Sequence, residues 1–408
     1  MRHNAARTLS AVLLFFVCLL PAFFLGQTQN SKKPVASASR TKEVVLQADE
    51  GPVRKVKGHI RKSRRIPGGE SEADDNDKPA EMPAFRVMNH PREDRLRRGR
   101  PFHGDVRTLP QISPEKFERP EFEGPKRTPV PFPGAATNSA QTVPGQNALT
   151  PNAPVPSAPA PAASNSFEGL DFTNWGAGHP PDTNGDVGPQ YYIQTINTSV
   201  GIYNKSNGTR VAAFIFNTLM SQGNFGNLCD TANFGDPVVV YDTFEDRWII
   251  TDFAFNLSGG NVVAPEFQCF AVSKSGDPVS GGWNFYSVQV AGGFGDYPKF
   301  GVWPDGLYMS ANVFGFGAGG AFQNVRVWAF NKAQMYAGNA TVQVLSFDAP
   351  AAEFTLLPSN ARLQTGTPPS GSPNYFSVVA QFLNVMSVYK LHADWNDISL
   401  STFSGPFL

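Results

Sequence analysis

Two aspartates stand at comparable points in the second half of this chain. Asp236 lies in "GDPVVVYD" and Asp296 heads "DYPKFGVWPDG". Carboxylates facing each other from neighbouring innermost strands would equip a glycoside hydrolase, about 6.5–9.5 Å apart for inversion and about 5–5.5 Å for retention. The same residues have a structural reading. Proline suits the first position of a strand, where no ladder donor is needed, and the aspartate before it accepts turn N–H groups. That account needs less, because the third such segment, "FTLLPSN", has no carboxylate at this place, and Glu353 lies before it. Asp305 adds a carboxylate to the acidic face expected at these strand ends. Tyr297 and Trp303 are the aromatic surfaces a ligand would stack on, and Trp303 suits a core equally well.

A second constellation is "PPDTNGDVG", where Asp182, Asn184 and Asp186 alternate. Oxygen ligands at that spacing wrap Ca²⁺, and Gly185 permits a sharp bend. An EF-hand would also need a distal bidentate Glu and a flanking helix, so an Asx-rich turn leading into a strand competes. Calcium is the one cofactor suggested. Structural zinc is rejected, because residues 166–408 hold only His179 and His392. The same scarcity leaves no Ser-His-Asp constellation, and "GFGAGG" lacks the helix that a phosphate loop requires. Cys229 and Cys269 predict a disulfide closing a loop of 40 residues.

The elements that would position these residues occupy only part of the chain. Its zero net charge conceals an asymmetry: residues 1–165 carry 25 Lys/Arg and 16 Asp/Glu, whereas 166–408 carry 9 and 18. The start, "MRHNAARTLSAVLLFFVCLLPAFFLG", has a basic head and an uncharged apolar run broken by Pro21, which reads as a secretory signal over 1–26. The run is too short to span a bilayer. The sequence therefore predicts a secreted or envelope protein with no transmembrane segment once the signal is removed. Residues 27–165 read as a disordered spacer, with basic runs such as "REDRLRRGR" and a Pro/Ala-rich linker. No aromatics interleave the arginines for base stacking, so nucleic acid is not expected as a partner.

From 166 onward, short runs of Val, Ile, Tyr, Phe and Trp alternate with Gly, Asn, Asp and Pro turns, the all-β signature. Pro237, Pro298 and Pro358 head three repeats spaced 61 and 60 residues apart. Second, third and fourth β runs follow each, for example "RWIITDFAF", "FQCFAVSK" and "WNFYSVQV", and an earlier unit begins "VGPQYYIQTIN". Four strands per unit at a fixed interval predicts an all-β, β-propeller-like array of four-stranded blades over 166–408. About four are visible, as in a truncated or incompletely closed propeller. "NKAQMYAG" is the one helical turn, with Asn331 as N-cap and Gly338 as stop.

"PPDTNGDVGPQYYIQTINTSVGIYNK", "GDPVVVYDTFEDRWIITDFAF" and "DYPKFGVWPDGLYMSANVF" resemble an uncharacterised family of secreted bacterial proteins with propeller repeats of the sialidase-like, or BNR, kind. The resemblance covers about 168–406. It implies a propeller fold and an extracellular or envelope location, and no particular activity. "SKSGDPVSGGW" at 273–283 resembles the Asp-box of such repeats, one residue longer than usual, with Asp277 and Trp283 in structural roles. The arginine triad of a true sialidase has no counterpart. The expectation is a secreted binding or scaffold protein for a carbohydrate or an extracellular protein, with a propeller-type glycoside hydrolase as the alternative.

Overall fold

Runs such as "RWIITDFAF" alternate side chains between two faces, and β-branched and aromatic residues fit a pleated surface. In the computed structural model, which describes residues 84–117, 163, 165–350, 353–380 and 385–407, these runs form an all-β protein of antiparallel sheets. The expected signal peptide lies outside the described residues. Two strands come first, β1 (Arg86–Met88) and β2 (Arg92–Arg98). Four up-and-down meanders of four strands follow. The first is β3 (Asn184–Val187), β4 (Tyr191–Ile196), β5 (Ser199–Asn204) and β6 (Arg210–Ile215). The second is β7 (Asn233–Asp242), β8 (Arg247–Ser258), β9 (Asn261–Ser273) and β10 (Trp283–Val290). The third is β11 (Phe294–Val302), β12 (Leu307–Phe314), β13 (Phe322–Phe330) and β14 (Thr341–Asp348). The fourth is β15 (Leu357–Pro358), β16 (Asn374–Ala380), β17 (Val385–His392) and β18 (Thr402–Phe407).

Both faces of the middle sheets are buried, which is why their strands are apolar on consecutive residues. Val239, Tyr241, Trp248 and Ile250 of the second meander pack on Ile193, Ile202 and Phe214 of the first. Their neighbours Val240, Ile249 and Phe270 pack the other way, on Phe300, Met309 and Phe330 of the third. Tyr308, Val327 and Phe347 then join Phe376, Tyr389 and Phe403 of the fourth. Each such side chain contributes about 1.5–3 kcal/mol by leaving water. The first strands meet in succession, β3 against β7, β7 against β11 and β11 against β15.

The expectation of a disordered spacer over 27–165 does not hold for residues 84–117. β2 fills the slot between β10 and β14 and joins the second and third meanders into one nine-stranded sheet, nearly closed because β7 and β11 also touch. β1 extends the fourth meander beside β18. The described residues all belong to one of the chain's two compact units, Ser71–Leu408. A charge run can be a strand here because two open sheet edges supply backbone partners. The sequence "REDRLRR" needs only one buried side chain, Leu96, while the charged residues face water.

The helical turn forms at Lys332–Tyr336, with the Asn331 side chain accepting from the Gln334 N–H. The 273–283 turn lies between β9 and β10. Asp277 Oδ1 accepts the Val279 N–H at 2.8 Å, and the buried Trp283 donates to the Pro278 carbonyl at 3.1 Å.

Cys229 and Cys269 form the expected disulfide, with Cα atoms 5.7 Å apart. It ties the loop before β7 to β9. Replacing both cysteines by serine is expected to lower stability by about 3–4 kcal/mol, the chain-entropy value for a loop of this length. Urea unfolding of the oxidised protein and the double variant measures it.

Candidate functional site

Four of the six non-glycine residues described with positive φ stand at the strand heads, just before or within the first half of the first strands of the four meanders: Asp182 (φ 43°), Asp236 (46°), Tyr297 (54°) and Thr355 (59°). Aspartate tolerates this left-handed conformation, but for tyrosine and β-branched threonine it is a genuine outlier. Each such residue costs on the order of 1–3 kcal/mol. In β7 and β11 it coincides with a break in register, between Gly235 and Val238 and between Asp296 and Lys299. Such bulges re-aim side chains beside functional sites.

Side chains of neighbouring meanders hold these turns. Asn197, just after β4, donates through Nδ2 to Asp182 Oδ2 (2.6 Å) and accepts the Asp236 N–H on Oδ1 (2.9 Å). Asp236 Oδ2 accepts the Tyr297 N–H (3.0 Å). Asn312 of β12 accepts the Thr355 N–H (2.8 Å) and donates to its hydroxyl (2.9 Å). A hydrogen-bonded chain, Asp182–Asn197–Asp236–Tyr297, thus runs across the first three meanders.

A cavity of about 170 Å³ opens there, lined by Asp182, Asn184, Asp236, Pro237, Tyr297 and Lys299, among others. Tyr297 is 48% exposed. The Lys299 ammonium lies 3.2 Å from its ring centroid, a cation–π contact. Burial pushes the Lys299 pKa down, against the pull of Asp236, Asp182 and Asp296. On β9, Glu266 is fully buried. Its Oε2 accepts the Gly295 N–H at 2.6 Å, and its Oε1 has no hydrogen-bond partner. Burial first, then the nearby charges of Asp296 and Asp236, pushes its pKa up to about 8.

No family model, curated protein or solved structure matches the chain. The site is therefore read from its own geometry.

Of the residues singled out in the sequence, Asp182, Asn184, Asp236 and Tyr297 come together at this cavity. Asp296 is buried beside it, paired in register with Asn312. Asp305 does not join the acidic face at the strand heads. It sits in the turn between β11 and β12, some 20 Å of strand away from Asp296. There it accepts the Tyr308 hydroxyl (3.0 Å) while burial pushes its pKa up. Trp303 belongs to the core between the third and fourth meanders and donates to the Ser372 carbonyl (3.0 Å).

Each residue of the calcium constellation has an oxygen engaged within the protein, Asp182 through the Asn197 bond already described. Asn184 Oδ1 accepts the Val239 N–H (2.9 Å), and Asp186 Oδ2 accepts the Tyr241 N–H and an Arg362 N–H (both 2.7 Å). They fasten β3 to β7 and to the segment after β15. Among the described residues no group of three or more His, Cys, Asp or Glu side chains is placed to hold a metal ion.

Sequence reasoning missed Asn197, Asn312, Lys299 and Glu266. The first two carried a signal, since an Asn or Asp recurs towards the end of the second β run of three repeats, at Asn197, Asp252 and Asn312.

Proposed function

We propose that this chain is a β-propeller-type binding protein that works outside the cell and takes a small hydroxylated ligand, a sugar residue, in the cavity at the strand heads. The propeller reading is supported by four meanders whose successive faces pack together while their first strands meet. The location is supported by the signal-like N-terminus and by the disulfide, a bond that persists in oxidising compartments.

The observation that carries the binding reading is the make-up of the cavity. Carboxylates from two meanders, an ammonium from a third and a half-exposed tyrosine ring converge on a small, pre-formed space. Carboxylates accept hydroxyl hydrogens, the ammonium donates, and the ring face that Lys299 does not cover offers an apolar surface, the mixture that fixes a sugar in place. The strained backbone and its hydrogen-bonded chain hold these groups in position before a ligand arrives, which reduces the ordering cost of binding.

The hydrolase alternative draws on one observation, a carboxyl held protonated near two carboxylates, as a general acid must be. Glu266 is fully enclosed and does not line the cavity, so binding without turnover is the better-supported reading.

A glycan array probed with the full chain, followed by calorimetric titration of the hits, tests it. Asp236→Asn keeps the turn's shape and its acceptor for the Tyr297 N–H but removes the charge. It is expected to weaken binding roughly tenfold to a hundredfold, the worth of a charge-assisted hydrogen bond. Binding that ignores Asp236→Asn and Lys299→Met alike would overturn the assignment. Hydrolysis of aryl furanosides that disappears in Glu266→Gln would replace binding with catalysis.

A further inference from the structure

A second concavity, sharing no residue with the first, lies where β2 leaves the sheet. It has a volume of about 490 Å³, within the ~300–1,000 Å³ range of small-molecule sites, and its lining includes Arg97, Arg98, Arg100, Asn224, Phe225 and Ser287. No carboxylate lines it. Arg98 is anchored on the Gly338 carbonyl. Arg97 and Arg100 are exposed and form no ion pair with any described carboxylate. This is the reverse of the remainder of the domain, where acidic residues are in excess.

The walls are built rather than incidental. The Arg100 N–H donates to the Gly223 carbonyl and the Gly99 N–H to the Phe285 carbonyl (3.0 Å), which fixes the arginine strand against the sheet. Opposite, Asp230 accepts the Phe225 N–H (3.0 Å) and the Gly226 N–H (2.7 Å). Asn227 Nδ2 donates to Ser287 Oγ (3.1 Å), and Ser287 pairs in register with both Arg97 and Cys269. The disulfide therefore pins the loop carrying Asn224 and Phe225 to the strand next to the groove floor.

The geometry points to this groove as a binding site for an acidic oligosaccharide, one bearing uronate carboxylates. Guanidinium forks match carboxylates bidentately. The exposed Asn224 amide suits sugar hydroxyls, and the part-buried Phe225 adds an apolar patch to the lining. A single part-buried aromatic is too little for a stacked nucleic-acid strand, and a concave groove does not fit a flat bilayer.

The test is titration of the full chain with trigalacturonate, with maltotriose, inorganic phosphate and a single-stranded oligonucleotide as comparisons. Trigalacturonate is expected to bind, maltotriose not. Arg97→Ala and Arg100→Ala, both at exposed positions and each checked for an intact fold by circular dichroism, are each expected to weaken it about tenfold or more. Arg107→Ala, whose guanidinium pairs with Asp105 outside the groove, is expected to change nothing. No binding of trigalacturonate, equal binding of maltotriose, insensitivity to both groove arginines, or tighter binding of phosphate or the oligonucleotide would each overturn the proposal.

Discussion

Replacing Asp242 by alanine is expected to destabilise the protein by about 3–5 kcal/mol, the cost of leaving a buried charge without its partner. Asp242 ends β7 and is fully buried, and Lys332, in the short helix after β13, is 2% exposed. The Lys332 ammonium donates to Asp242 Oδ2 at 2.8 Å, and the Tyr336 hydroxyl donates to the same oxygen at 2.7 Å. Oδ1 accepts the Phe244 N–H at 2.8 Å. The carboxylate thus closes its own turn and clamps the second meander to the third. Asp242→Asn keeps the turn acceptor but leaves the ammonium uncompensated, so most of the loss remains. Adding Lys332→Met to Asp242→Asn removes the orphaned charge and is expected to recover a large part of it. Urea unfolding of the two single variants and the double variant yields the coupling directly. Additive losses would mean that the pair is not a buried ionic clamp.

The second large effect is a stability that falls as pH rises. Glu266 holds its proton to about pH 8 in the folded protein and releases it near the ordinary value of 4.5 once unfolded. Between these limits the folded state binds the extra proton. The stabilisation is therefore complete below about pH 4.5 and is lost as pH rises towards 8, at up to about 1.4 kcal/mol per pH unit. Glu266→Gln removes the titrating proton while its amide oxygen still accepts the Gly295 N–H. Thermal unfolding from pH 5 to 8 is expected to slope steeply for the wild type and much less for the variant. Asp305, also raised by burial, contributes with the same sign. Identical profiles for the two proteins would show that Glu266 is ionised or hydrated in the fold.

Much of this architecture was legible in the residues. The prolines at 237, 298 and 358 marked the first strands, and those strands do lie side by side, but Pro237 and Pro298 stand in bulges inside β7 and β11 rather than at a first position, a bulge being the other place where a strand tolerates a missing N–H. The disulfide followed from an even pair of cysteines, Cys229 and Cys269, behind an N-terminus that reads as a secretory signal. β1 and β2 were not legible, because a strand recruited by open edges is paid for in backbone hydrogen bonds and needs almost no apolar pattern. The left-handed heads were hidden because only glycine advertises positive φ, and here Asp, Tyr and Thr adopt it. Asp305 was misplaced for a simpler reason. The sequence shows that a residue lies in a turn, but not at which end of the sheet until the strands are paired. Lys299 carried no signal in the sequence, because only the fold draws its ammonium over the Tyr297 ring.

The strand heads of three meanders line one polar cavity, proposed above as the sugar site. A crystal structure of the full chain soaked with a sugar recovered from the glycan array tests it most directly. The account predicts ligand density between Asp182, Asp236 and Lys299, against the ring of Tyr297. Density elsewhere on the molecule, with that cavity filled only by water at saturating sugar, would contradict it.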